Sequence, residues 1–321
     1  MAKTKKLAFI CYPGQETFIE PIVREYEKRP QYQVHRYYTD QQADVIAAVK
    51  WADILWLEWA NQLTAVATQV YEIKSKSVIV RLHSYEALSS LPTRVNWKVV
   101  DYLVFVAPHI RDIVKMQIHD IEKQVCTKII PNGLDIDNIP KNKVFNMYDI
   151  AYVCNLSLKK EPAMMLQIMA ELVKFNPAFH LHSAGGWQDK GCEIYMKHMA
   201  KEMGIEENIT YYGFVENMET FWPGKGILLS TSFHEGHPCN IMEGMARGLR
   251  PVIHNFIGAK GLYQEKYLFN TVVDAINMIT EWSATTPDEK DYRKYVIDRG
   301  WTKKSMMASI SKLIRLCGKK A

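Results

Sequence analysis

Residues 226–254, GILLSTSFHEGHPCNIMEGMARGLRPVIH, decide the reading of the whole chain. Gly226 to Thr231 is an apolar run of strand length, and a helix is expected from about Pro238 to Arg247. Gly248 then ends the helix as a C-terminal cap, and Pro251 to His254 reads as the next strand. Strand, helix and strand in this order make one unit of a parallel sheet. In such sheets ligands bind beyond the carboxyl ends of the strands, so the loop between is where chemistry is expected. Glu235 stands at the end of the strand, and Gly236 lets backbone approach a ligand closely. Pro238 opens the helix, with Glu243 about one and a half turns inside it. A helix start offers unpaired N–H groups and a positive dipole end, suited to a phosphate. Two carboxylates on either side of such a site match a ligand with hydroxyls flanking a phosphate, the layout of a nucleotide-sugar. The plainer alternative is a helix cap with a solvated glutamate.

The same alternation runs outward in both directions. Upstream, strands are expected at Lys6 to Tyr12, Tyr32 to Tyr38, Asp53 to Trp59, Ser77 to His83, Val99 to Val106 and Lys128 to Pro131. Helices are expected between them at Glu16 to Lys28, Gln41 to Trp51, Thr64 to Ile73 and Ile110 to His119. The polar segment Asn132 to Asn146 reads as a linker. Beyond it, strands are expected at Tyr148 to Cys154, Phe179 to Ser183 and Ile209 to Tyr212, with helices at Pro162 to Phe175 and Glu193 to Met203. The tail from Thr302 to Leu316 reads as a basic amphipathic helix. With 321 residues, the chain suits two α/β domains rather than one.

Composition narrows the class. Hydrophobic residues make up 48% and charged residues 23%, as in ordinary globular proteins. The basic start, Met1 to Lys6, precedes an apolar run far too short for a signal peptide or a membrane span. The six scattered cysteines, without a C-x-x-C pair, fit a reducing cytoplasm. A net charge of +5 and a pI near 8.7 suit an anionic substrate, a lipid surface or a nucleic acid without choosing among them. His180 and His182 share one strand face. With no third ligand in view they read as edge-of-strand histidines, and no metal site is expected.

On these residues the sequence resembles the retaining GT-B glycosyltransferases of glycosyltransferase family 4. Glu235 to Glu243 matches that family's E-x7-E motif, and Gly244 to Ile253 looks like its small-residue helix and following strand. Pro131-Asn132-Gly133 is similar to the segment closing its N-terminal domain, and Tyr212-Gly213-Phe214 and Phe221-Trp222 fall in the expected order. The resemblance implies two Rossmann-like doubly wound domains facing each other across a cleft. Residues 1–145 would form the acceptor side and 146–301 the nucleotide-sugar side, with the helix of 302–321 crossing back to the first domain.

It further implies that Glu235 contacts hydroxyls of the transferred sugar and Glu243 those of the ribose. Backbone from Gly236 and His237 through Pro238, Cys239, Asn240 and Ile241 would hold the diphosphate and sugar, with Gly213 nearby. Lys160 looks like the family's phosphate lysine, with Lys159 as the choice if the loop is shifted by one. Where the family has an arginine this chain has Asn155. His83 falls at the family's catalytic histidine, with a packing histidine as the alternative. Gly14 would let backbone approach the diphosphate or acceptor, or is a turn glycine.

The implied reaction is transfer from a nucleotide-sugar such as a UDP- or GDP-sugar, without a cofactor or a metal and with retention. The acceptor would be a glycan or lipid-linked glycan, with peripheral membrane contact, and a nucleic acid is the minority option. Two other classes stay open. One is a sugar-nucleotide-binding scaffold, motivated by Asn155. The other is a Rossmann oxidoreductase, disfavoured because Tyr12-Pro-Gly-Gln15 lacks G-x-G-x-x-G.

Overall fold

A computed structural model describes residues 4–285 and 289–317, so Met1 to Lys3 of the basic start lie outside it. The chain forms two compact units, residues 1–133 together with 303–321, and residues 134–302.

The first unit holds a sheet of β1 (Lys5–Cys11), β2 (Tyr32–Tyr38), β3 (Ile54–Glu58), β4 (Ser77–Leu82), β5 (Tyr102–Phe105) and β6 (Cys126–Ile129). Its order is β2-β1-β3-β4-β5-β6 and every pairing is parallel. Every residue of β3 and β4 is buried, which is why these strands read as continuous apolar runs rather than alternating ones. The last helix, Lys303–Cys317, belongs to this core. Met306, Ile310 and Ile314 pack with Leu7, Phe9 and Ile79. Tyr26 and Arg29 both donate to the Ser311 hydroxyl, at 3.2 and 3.0 Å.

The second unit holds β7 (Phe145–Val153), β8 (His180–Ala184), β9 (Ile209–Gly213), β10 (Gly224–Ser230), β11 (Arg250–His254) and β12 (Leu268–Phe269). The order is β12-β11-β10-β7-β8-β9, again all parallel. Together the two sheets with their flanking helices give two Rossmann-like doubly wound α/β units.

Several local expectations need adjustment. From Leu134 onward the expected linker is part of the second unit. The Leu134 N–H donates to the Trp301 carbonyl at 3.0 Å, Asn142 Nδ2 to the Trp222 carbonyl at 2.8 Å, and Arg293 to the Ile139 carbonyl at 2.9 Å. Leu134, Ile136 and Asn142 are buried, while the charged Asp137, Lys141 and Lys143 stay exposed. His180 and His182 are not on an edge strand, because β8 lies between β7 and β9. Their rings bond Thr210 and Tyr212 on β9, at 2.8 and 2.9 Å. Among the described residues no group of three metal-type ligands is assembled, and no helix is long and apolar enough to cross a membrane.

Because Ile310 is fully buried in the first unit, Ile310→Ala should lower unfolding stability by about 3 kcal/mol. Urea titration of the full chain would measure it. An unchanged midpoint would mean that the last helix adds nothing to this core.

Candidate functional site

Strand order reverses twice in the molecule, and each reversal opens a crevice at the carboxyl ends of two neighbouring strands. In the second unit it falls between β7 and β10. The loop after β7 carries Asn155 to Lys160, and the loop after β10 carries Thr231 to Pro238. Hydroxyls lace these two loops together. Tyr152 donates to the Lys160 carbonyl at 2.7 Å and lies 2.9 Å from Thr231 Oγ1, which reaches the same carbonyl at 2.6 Å. The Phe233 N–H donates to the Lys159 carbonyl at 3.1 Å. Neither Tyr152 nor Thr231 was singled out from sequence. Both sit in or beside apolar runs that look like core alone.

This lacing sets Lys160 directly on Glu235. The Nζ donates to Glu235 Oε1, and the two side chains are only 11% and 9% exposed. Glu235 does not close the strand as expected: β10 stops at Ser230 and the glutamate lies five residues on, in a buried loop. Burial alone would push its carboxyl upward, but Lys160 and Lys159 outweigh burial and hold it below the usual carboxylate range. Lys159 is pulled down by burial, with Glu235 opposing. So Lys160 holds the ion pair, and Lys159 acts on Glu235 through its charge.

Behind Glu235 the loop rests on aromatic packing. The His237 ring stands edge-on to buried Trp301 at 4.6 Å, and Trp301 meets Tyr263 and Tyr295 in the same way. Pro238 is the cap of the helix rather than its first residue, and Cys239–Arg247 follows. The first-turn N–H groups of Cys239, Asn240 and Ile241 therefore lack intrahelical partners. The Asn240 side chain is turned back to the Val153 carbonyl at 2.7 Å, tying the helix start to the end of β7. Gly248 closes the helix with a φ of 97°, a conformation that Gly adopts without a Cβ penalty.

Glu243 is the fifth residue of this helix and half-buried. Burial raises its pKa, Arg247 opposes the rise, and Glu219, which Arg247 grips at 2.9 Å, adds to it.

Asn155 is exposed, and its Oδ1 accepts from the Gly186 N–H at 3.3 Å. Beside it, Gly185 is pressed against the Cys154 carbonyl so closely that any Cβ would collide with it. Gly213 ends β9 in a turn with φ 66°. Glu161, directly after Lys160, has a left-handed φ of 47°. Strain of this kind in a non-glycine residue marks a loop held in place by its surroundings.

In the first unit the reversal falls between β1 and β3. Here His83 is turned inward, with Nε2 2.7 Å from Glu58 Oε1. Glu58 also accepts from Trp56 Nε1 at 2.7 Å and faces Arg81 at 3.5 Å, and Arg81 reaches Asn132 at 2.6 Å. Burial would raise Glu58, but Arg81 and His83 hold it low. Burial lowers His83 despite Glu58. The pair is therefore an ionised carboxylate and a neutral imidazole whose Nε2–H donates. Arg81 was missed from sequence, although a charge within Ser77-Val-Ile-Val-Arg-Leu82 signals a buried partner. Trp59, at φ 72°, packs against His83 with ring centroids 4.1 Å apart and the planes tilted by 33°. Gly14, with φ 80°, sits in an open turn where its N–H donates to Glu16 at 2.9 Å.

Comparison with known proteins follows this geometry. The family model for glycosyl transferases group 1 matches residues 135–280. No curated protein gives a significant match. Anabaena HepE in complex with UDP and glucose is similar at 15% identity and a TM-score of 0.79, covering 97% of this chain and 99% of that one. Sucrose-phosphate synthase from Thermosynechococcus elongatus is similar at 13% and 0.78, covering 99% and 100%. Staphylococcus aureus TarM, solved with UDP and saccharide ligands, is similar at 15% and 0.68, and covers 85% of this chain. This chain spans only 58% of TarM. Structural likeness over nearly the whole chain establishes the fold, which is GT-B.

The buried ion pair makes a signed prediction. Glu235, held below its unfolded value, adds stability that is present above about pH 4.5 and is lost as pH falls through the folded pKa. Lys160→Ala strands the carboxylate in a buried site, so its folded pKa should rise above the unfolded one. The variant should then lose further stability as pH climbs. The difference from wild type should grow between pH 4 and pH 7, reaching roughly 3 kcal/mol. Paired denaturation curves test this, and a pH-independent difference would contradict it. The family model lies within the second unit, and both units share the GT-B fold of these structures.

Proposed function

We propose that the protein moves a glycosyl group from a nucleoside-diphosphate sugar to a hydroxyl of a glycan or lipid-linked glycan, with retention of anomeric configuration. One observation carries this reading. A lysine–glutamate pair is buried at a strand-order reversal, next to a helix start whose first-turn amides have no partner within the helix. The family match, and neighbours solved with UDP and a sugar, support it.

In this reading the diphosphate lies on the amides from His237 to Ile241. Lys160 faces the leaving phosphate, and Glu235 accepts hydrogen bonds from the sugar hydroxyls. Glu243, on the same helix, accepts hydrogen bonds from the ribose hydroxyls. Asn155 and Gly213 border the donor, and Asn155 contributes an amide where a cation would otherwise stand. The bond from the anomeric carbon to phosphate oxygen breaks, its electron pair leaving with the diphosphate. The acceptor oxygen bonds that carbon and passes its proton to the departing phosphate oxygen. Fixed positive groups aimed at the leaving oxygens supply the stabilisation, so a metal is not required. The first unit serves the acceptor, with neutral His83 fixed by Glu58 and Gly14 in the adjoining turn. The Asn155 substitution favours one second reading, a nucleotide-sugar-binding scaffold without turnover.

A thermal-shift panel of nucleotide-sugars should show stabilisation by at least one UDP- or GDP-sugar. Glu243→Ala should weaken nucleoside diphosphate binding roughly tenfold, and unchanged affinity would remove the ribose role. Glu235→Gln should cut transfer by about a hundredfold or more while the diphosphate still binds. Turnover should survive a chelator. Binding without any turnover would select the scaffold.

A further inference from the structure

A cavity of about 380 Å³ opens in the first unit, at the small end of the range for small-molecule sites. Its lining comes from the segments that follow four strands: Tyr12 and Gln15 after β1, Asp40 after β2, Asn61 and Gln62 after β3, and Tyr85 after β4. It therefore sits at that sheet's strand-order reversal, where parallel sheets bind ligands.

Two lining side chains hold polar atoms that the protein leaves unused. Asn61 is 1% exposed. Its Oδ1 caps the helix Gln62–Ala67 by accepting from the Leu63 N–H at 3.0 Å. That bond fixes the amide, yet Nδ2 has no hydrogen-bond partner. Asn61 lies beside the Tyr85 phenol without completing a bond to it. Gln15 Oε1 is likewise buried and unpartnered. A buried donor and a buried acceptor left unmatched in one cavity fit a ligand bearing hydroxyls, since each hydroxyl can donate and accept.

The rest of the lining narrows the ligand further. Tyr12 and Tyr85 are 36% and 39% exposed, so each offers an apolar ring with a polar tip. Among the described residues lining the cavity there is no lysine or arginine, and the one charged group is the Asp40 carboxylate. An anionic ligand would meet that carboxylate without a compensating cation, although the chain as a whole is basic.

We infer that this cavity takes an uncharged pyranose unit of the acceptor. The inference rests on the transferase reading and names the acceptor class for it: a neutral sugar, not a uronate, a sialate or a phosphate-bearing group, occupies this site.

Saturation-transfer NMR on the full chain, without donor, tests the assignment with methyl glucoside, methyl galactoside and methyl N-acetylglucosaminide against methyl glucuronide and glycerol phosphate. At least one neutral glycoside should bind roughly tenfold better than either anion. Asn61→Asp keeps the capping oxygen and removes the donor, and it should weaken neutral-sugar binding about tenfold. Asp40→Lys, at an exposed position, should shift the preference toward the glucuronide. Tyr85→Ala replaces Asn61→Asp if that variant fails to fold, with the same expected loss. UDP affinity, followed in parallel by thermal shift, should be unchanged in all variants. Equal or better binding of an anion by the wild type would overturn the inference. So would displacement of the sugar by uridine or UDP, or no sugar binding by a protein that still binds UDP. If the wild type binds no nucleotide-sugar, the transferase reading fails instead, and the cavity assignment is then judged by the sugar panel alone.

Discussion

The second unit is organised around one ionic contact, Lys160 on Glu235, made where water is largely excluded. An unpaired carboxylate in such a place would be costly, and the pair is kept only because both loops carrying it are locked. Tyr152 and Thr231 supply the lock by converging on the Lys160 carbonyl. Asn240 ties the helix start to the end of β7. Edge-on aromatic packing of His237 on Trp301 supports the Glu235 loop from behind. Each of these contacts belongs to the positioning of a charge, and none extends a strand or a helix.

Among the described residues, two that are not glycine take a positive φ, Trp59 and Glu161. Both border candidate site residues: Glu161 follows Lys160 in the chain, and Trp59 packs against His83. A left-handed backbone in a bulky residue persists only when neighbouring contacts overdetermine it. At Trp59 those contacts are its N–H to the Arg81 carbonyl at 2.9 Å and Thr64 Oγ1 to its own carbonyl at 2.6 Å. The same crevice holds Glu86, whose carboxyl burial pushes up to about 7. Strain and buried carboxyls thus concentrate at the carboxyl ends of the strands, where a parallel sheet leaves its loops free to specialise.

Charge follows the same local logic. The chain carries +5 overall, yet the ionisable groups at the two crevices are mostly buried and paired. In the first unit Glu58 satisfies Trp56, Arg81 and His83 together, so its negative charge is spent internally. In the second, Lys160 and Glu235 satisfy each other's charge. Net charge is a property of the solvated surface, and it carries little information about either crevice.

The alternation of apolar runs and amphipathic stretches determined the two parallel sheets, because a strand covered on both faces must be apolar throughout. The helix Pro162–Phe175 was legible to the residue, since Pro is at home in a first turn. The helix Val272–Ser283 was legible too, but passed over, although Thr271 and Asp274 form a reciprocal capping box. Gly248 was legible as a helix cap from its local signature, whereas Lys160 was singled out only through the family resemblance. What the sequence did not contain was the pairing. That Lys160 rather than Lys159 meets Glu235, that Glu58 claims His83, and that Asn61 keeps an unused donor in a cavity whose one charge is Asp40 depend on how the loops beyond the strands fold together. Sheet order brings together segments 75 residues apart, as for Lys160 and Glu235. Side-chain pairing across such distances depends on burial and geometry that no local pattern encodes.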